Sequence, residues 1–171
     1  MKLSDDPIIE GFGFYLFYSF SNYWFHRLKH SNTICWMLHK LHHSTSHMES
    51  KLAFYRHPLE VIANGAYLII LGRLLFDISI YGVAIALLIE GSLEVFHHSN
   101  IKIGKRFEWI GHIVQTPDMH LIHHEFNLHR YNYSPFLWDT IFRTARIPKH
   151  DKKTRLGFKN SNKIIKFMLL K

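Results

Sequence analysis

The stretch LEVIANGAYLIILGRLLFDISIYGVAIALLIEGSLEVF, Leu59 to Phe96, decides the fold. Wholly helical, it would reach ~57 Å, against a hydrocarbon core of ~30 Å. That is too long for one ordinary span and just long enough for two. Gly72-Arg73-Leu74-Leu75-Phe76-Asp77 falls near its middle. Arg73 and Asp77 stand four apart, a spacing that lets them pair on a helix or close a turn. The reading is a membrane hairpin over 59–96 with Arg73 and Asp77 at its far tip. A hairpin returns the chain to the side it left. The residues before 59 and after 96 therefore share one face of the bilayer.

Working outward, Pro7 to Phe25 is mostly apolar and aromatic, broken by Glu10 and by Ser19, Ser21 and Asn22. About 20 residues suffice to cross a bilayer, so 7–25 is read as a further membrane helix. Residues 26–58 form a first histidine-rich region and 97–147 a second. Residues 148–171 form a basic tail, read as solvated or, through Ile164, Ile165, Phe167, Met168, Leu169 and Leu170, as touching anionic lipid. The formal net charge is +8. A basic chain suits an anionic membrane surface; no nucleic-acid motif accompanies the charge, so nucleic acid is not expected as a partner. Arg27, Lys29, Lys40, Lys51, Arg56, Lys102, Lys105 and Arg106 flank the histidine side, which the positive-inside rule places in the cytoplasm. Cys35 is the single cysteine, which excludes an intrachain disulfide. Met1 to Asp6 lacks the layout of a cleaved signal peptide. The fold expected is all-α: one domain over 1–171, an integral membrane helical bundle with a cytoplasmic histidine-rich helical cap holding a dimetal site.

Three motifs carry the chemistry: His26-x3-His30, His39-x2-His42-His43 and His120-x2-His123-His124. They hold more than half of the chain's 15 histidines. On a helix each residue advances about 100°, so His26 and His30 share a face. From His39, position 42 falls about 60° to one side and position 43 about 40° to the other. The pair straddles His39 and can point to two neighbouring ions; His120, His123 and His124 repeat the device. Neutral imidazole ligates iron, zinc or copper. The first motif is not that of a zinc protease, because Arg27 stands where the catalytic glutamate would be. Of His97 and His98, His98 is the favoured ligand, although spacing does not force the choice. His57, in Arg56-His57-Pro58-Leu59-Glu60, is expected to orient the next helix or to support a ligand. His47, His112, His129 and His150 lack partners at ligand spacing and are read as ordinary.

These residues resemble the fatty acid hydroxylase superfamily, in its sterol desaturase branch. The similar stretches are Tyr23-Trp24-Phe25-His26-Arg27, His39-Lys40-Leu41-His42-His43-Ser44 and Arg56-His57-Pro58-Leu59-Glu60. Phe96-His97-His98-Ser99-Asn100-Ile101, Thr116-Pro117-Asp118-Met119-His120-Leu121-Ile122-His123-His124, Asn132-Tyr133 and Leu137-Trp138-Asp139-Thr140-Ile141-Phe142 follow in family order. The resemblance implies a membrane-bound non-haem di-iron oxidoreductase that uses dioxygen to hydroxylate or desaturate a lipid, sterol or fatty-acyl, in lipid biosynthesis. Its ligands would be His26, His30, His39, His42, His43, His98, His120, His123 and His124, holding two irons, with zinc as a substitute in isolated protein. Electrons would come from a reductase or small redox carrier. His57, His97, Asn100, Asn132, Trp138 and Asp139 would support the ligands or pack around them. Many members carry an acidic residue just before the aromatic pair, where this chain has Ser21-Asn22. The alternatives are a non-catalytic membrane metal-binding protein and a truncated, inactive relative acting as a scaffold.

Overall fold

The computed structural model describes residues 4–126, 128–147 and 154–170, so His150 lies outside the described residues. These residues form helices and turns; β-pairing among them is confined to the isolated bridges Val114–Phe136 and Glu125–Leu156. The first helix, α1 (Pro7–Ser31), starts at Asp6, whose Oδ1 accepts from the amides of Ile8 (2.7 Å) and Ile9 (3.4 Å). It outruns the expected 7–25, so His26 and His30 ride on the same rod as the apolar segment. Asn32 ends α1 and starts α2 (Thr33–His39): its amide donates to Leu28 O, and its Oδ1 accepts from Ile34 N and Cys35 N. One residue thus fixes the angle between the first two histidine motifs.

The long apolar stretch folds as two helices joined at a turn. Helix α3 (Pro58–Ile69) begins with Pro58 at its first position, where a missing N–H costs nothing. His57 caps it, Nδ1 accepting from Leu59 N at 3.1 Å. The rod continues as a π-helix over Ile70–Leu75, turns at Asp77 (φ 48°) and returns as α4 (Ile80–His97). At the tip Arg73 lies 3.7 Å from Asp77 and donates to Ile78 O. Glu10, near the start of α1, accepts from the amide and hydroxyl of Ser79. The tip and the N-terminal end of α1 therefore sit together, opposite the histidines.

Phe14, Tyr15, Tyr18, Leu68, Leu71, Ile78, Val83 and Ala86 fill the space between α1, α3 and α4. Gly11 allows the close crossing, since a Cβ there would lie 2.6 Å from Ile85 Cβ. The outer faces are apolar: Ile8, Ile9, Phe12, Val61, Ile62, Leu74, Ile80, Tyr81 and Leu88 are exposed. Pro58–Leu75 and Ile80–His97 are long and apolar enough to cross a membrane, yet only 22% and 28% of them is buried inside the protein. A soluble core helix would be mostly buried; these present their apolar surface outward, as lipid-facing helices do. Helix α1, with Glu10 and its serines, is less apolar and does not join that pair.

Two expectations about charge change. Lys29 and Arg56 are not free flanking cations: Lys29 is buried against Glu60 (3.0 Å), and Arg56 pairs with Glu94. The described tail is not simply solvated. Gly157 N donates to His124 O (3.0 Å), Phe158 packs on Trp36, and Phe167 is buried. The tail therefore straps the cap, while Ile165 and Leu169 remain exposed.

Candidate metal centre

Five elements converge below the bundle. His26 and His30 end α1, His39 ends α2, and His42 and His43 sit in a tight turn, His42–Ser44. His98 caps α4. His120 and His123 lie on α5 (Pro117–His123), with His124 as its cap. The side chains sort into two adjacent groups: His26, His30, His39, His43 and His123 in one, His42, His98, His120 and His124 in the other. Within each group one ring nitrogen per residue lies within 4.8 Å of all the others. The straddle read from the spacing is present. His42 and His43 point into different groups, and His123 parts from His120 and His124.

The hydrogen bonds fix the tautomers. Nδ1 of His26 meets Tyr133 O (2.6 Å), that of His39 Glu60 Oε1 (2.7 Å), and that of His42 Tyr55 O (3.3 Å). Nδ1 of His98 meets Glu94 O (2.7 Å), that of His120 Gln115 Oε1 (2.6 Å), and that of His123 Tyr131 O (2.8 Å). Each partner is an acceptor, so each Nδ1 holds the proton and each Nε2 keeps a bare lone pair. Yet these Nε2 atoms face one another: His26–His39 at 3.0 Å, His26–His123 at 3.2 Å, His42–His98 at 3.1 Å and His98–His120 at 3.0 Å. Two such lone pairs cannot hydrogen-bond. Protonation is not the remedy, because burial holds His42, His43, His120, His123 and His124 well below the usual histidine range, with neighbouring imidazoles adding to the effect. A shared cation resolves the repulsion. Two ligands at ~2.1 Å and at right angles on one ion stand ~3.0 Å apart, so the donor set fits a metal in each group.

A second layer aims these rings, as metal-ligating histidines require. Consecutive carbonyls do much of it: Tyr131 O holds His123, and Tyr133 O holds His26. Asn132 O accepts from Gln115 Nε2 (2.6 Å), whose Oε1 holds His120. Asn132 itself is fully buried in the left-handed region (φ 56°). Its side chain donates to Met119 O (2.7 Å) and Arg146 O (2.9 Å) and accepts from Arg146 N (2.7 Å). Asp139 clamps the same strip, accepting from Tyr133 N (2.9 Å), Ser134 N (2.6 Å) and Thr144 Oγ1 (2.6 Å). Trp138, at the start of α6 (Trp138–Ile141), donates to Ser19 Oγ (2.9 Å), tying that strip to α1.

Of the other anticipated residues, His57 caps α3 and contacts Met168 O of the tail (3.2 Å). His97 is buried, its ring 3.9 Å from that of His120, and joins Glu94 and His98 in a smaller group. Asn100 is exposed and makes none of the hydrogen bonds that hold the rings. Asn22 Nδ2 donates to the Glu90 carboxylate of α4 (2.8 Å).

Three contributors escaped the sequence reading. His129 is not ordinary: it packs 4.6 Å from His43 and bonds His123 O (2.7 Å). Its position five residues after His124 is not a helical ligand spacing. Gln115 gives no signal in sequence. Glu60 stood inside a quoted motif, and only the inward turn of α3 shows its use.

A family model described as fatty acid hydroxylase matches residues 12–144, more than half of the chain and inclusive of all nine histidines of the two groups. No curated protein and no solved structure matches the chain.

Proposed function

The chain belongs to the fatty acid hydroxylase family, and from that premise we propose that it is a membrane-bound non-haem di-iron oxidoreductase acting on a lipid of sterol or fatty-acyl type. The observation that carries this reading is the pair of adjacent histidine groups whose Nε2 lone pairs face one another at 3.0–3.2 Å. His26, His30, His39, His43 and His123 would hold one iron, and His42, His98, His120 and His124 the other. When bound, the pair supplies the redox chemistry by which dioxygen oxidises an unactivated C–H bond, with two electrons from a reductase or small redox carrier.

The residues of the chain do the rest. The carbonyls of Tyr131 and Tyr133, and that of Asn132 through Gln115, keep His123, His26 and His120 in one tautomer. Burial of His39, His42, His43, His98, His120, His123 and His124 keeps water from most of the site and keeps these imidazoles neutral. The lipid-facing surfaces of α3 and α4 end at His57 and His97, which brings the bilayer to the edge of the site. Hydroxylation returns oxygen to the carbon, and desaturation removes a second hydrogen. Both begin with the same C–H bond, so substrate placement decides between them. Exposed Lys51, Lys102, Lys105 and Arg106 favour a cytoplasmic histidine face. The sterol desaturase branch and a role in lipid biosynthesis belong to the same proposal.

The test is lipid mass spectrometry on membranes from cells expressing the chain and its His42→Ala and His123→Ala variants. Both variants are expected in the membrane fraction without oxidised product. Full lipid oxidation by either would overturn the reading. Metal uptake without product in the unsubstituted chain would favour non-catalytic metal binding, and failure to hold metal would favour an inactive scaffold.

A further inference from the structure

The two histidine groups are braced differently. In the second group the hydrogen-bond partners of the rings are uncharged, Tyr55 O, the backbone carbonyl of Glu94 and the amide of Gln115, and the one carboxylate nearby, that of Glu94, stands 3.8 Å from His98 Nδ1, beyond hydrogen-bond reach. In the first group His39 Nδ1 meets a carboxylate, Glu60 Oε1, at 2.7 Å with both side chains buried. Glu60 is in turn held by Lys29 Nζ at 3.0 Å, and Lys29 donates also to Asn64 Oδ1 at 2.9 Å. Lys29 is 5% and Glu60 2% exposed. Such a pair is costly to bury unless its charges are used. Among the described residues the second Glu60 oxygen, Oε2, is buried without a hydrogen-bond partner.

From this arrangement we propose that Glu60 is a positioning residue that makes the two metal positions unequal. The carboxylate pulls on the His39 Nδ1 proton and pushes electron density to Nε2. His39 becomes the strongest donor in a group that already has five imidazoles against four. Lys29 pairs with Glu60 at 3.0 Å, so the carboxylate faces His39 and does not turn away to solvent. The first group fills before the second and holds its metal more tightly. The inference rests on the metal-binding reading above and goes beyond it.

The test is an anaerobic titration of the detergent-purified full chain with ferrous iron against a chromophoric ferrous chelator. It is repeated with Glu60→Gln, which keeps the shape and removes the charge. The unsubstituted chain is expected to take up two equivalents in two separable steps. Glu60→Gln is expected to weaken the first step ~10–100-fold, the usual cost of losing such a bracing partner. The second step should move less than about threefold. Mössbauer spectra at one equivalent of ⁵⁷Fe should show one environment, altered in the variant. A variant that merely misfolds would lose both steps together. Two equal steps in the unsubstituted chain would overturn the inference alone, and so would equal weakening of both steps in Glu60→Gln. No uptake at all by the unsubstituted chain would overturn the metal reading and this inference with it.

Discussion

Replacing Asn132 with alanine tests whether backbone geometry holds the site. The side chain makes three buried hydrogen bonds, to Met119 O, Arg146 O and Arg146 N, each between 2.7 and 2.9 Å. Losing them costs about 1 kcal/mol each, more where a partner stays buried and unpaired. Asparagine tolerates φ 56°, whereas alanine adds a Cβ penalty of about 1–2 kcal/mol. Asn132→Ala should therefore lose ~4–5 kcal/mol, and Asn132→Gly ~3, since glycine loses the bonds without the strain. The carbonyls of residues 131–133 aim His123, His26 and, through Gln115, His120. Iron retention should fall with stability, by ~10–100-fold. Denaturant melts followed by tryptophan fluorescence in detergent, with iron per chain measured alongside, read both quantities. An alanine variant within ~1 kcal/mol of the unsubstituted chain and equally iron-loaded would refute the argument. A glycine variant weaker than the alanine one would refute its backbone part.

Three other outcomes follow from particular contacts. Arg143 is exposed with φ 58°, so Arg143→Gly should leave stability unchanged or raise it by about 1 kcal/mol; a lower melting midpoint would contradict this. Gly11→Val drives atoms into Ile85 at the α1–α4 crossing and should cost about 1–3 kcal/mol, whereas Gly65→Ala, with nothing within 4 Å, should stabilise by ~0.5–1 kcal/mol; equal melting shifts would show that the crossing is not tight. The buried imidazoles are held below the ordinary value of ~6.5, so as pH falls the unfolded chain binds protons before the folded one. Stability and metal retention should be flat above about pH 7 and decline as pH falls from ~6.5; release of metal on raising pH would reverse the sign.

Much of the fold was legible because membranes make apolar length informative. Leu59 to Phe96 has one economical solution, and Gly72 to Asp77 marks its turn. The different aims of His42 and His43 were legible because neighbouring side chains on a helical turn diverge, although the turn that carries them, His42–Ser44, lies outside α2. What stayed hidden depends on contacts across the fold. Asn32 joins α1 to α2, but a lone asparagine does not announce that α1 runs past Phe25. Lys29 and Arg56 look like surface charge in sequence, and become a buried partner of Glu60 and a half-buried partner of Glu94 only when α3 and α4 close on α1. His129 approaches His43 through a loop, where no periodicity operates. Asn100 sat within a matching stretch, yet it lies three residues past the end of α4 and is exposed.

The most direct measurement is the iron content of detergent-purified protein expressed with ample iron. The account predicts about two irons per folded chain, lost when His42 and His123 are replaced together. Well-folded chain with no stable iron, or the same iron content after both replacements, would contradict it.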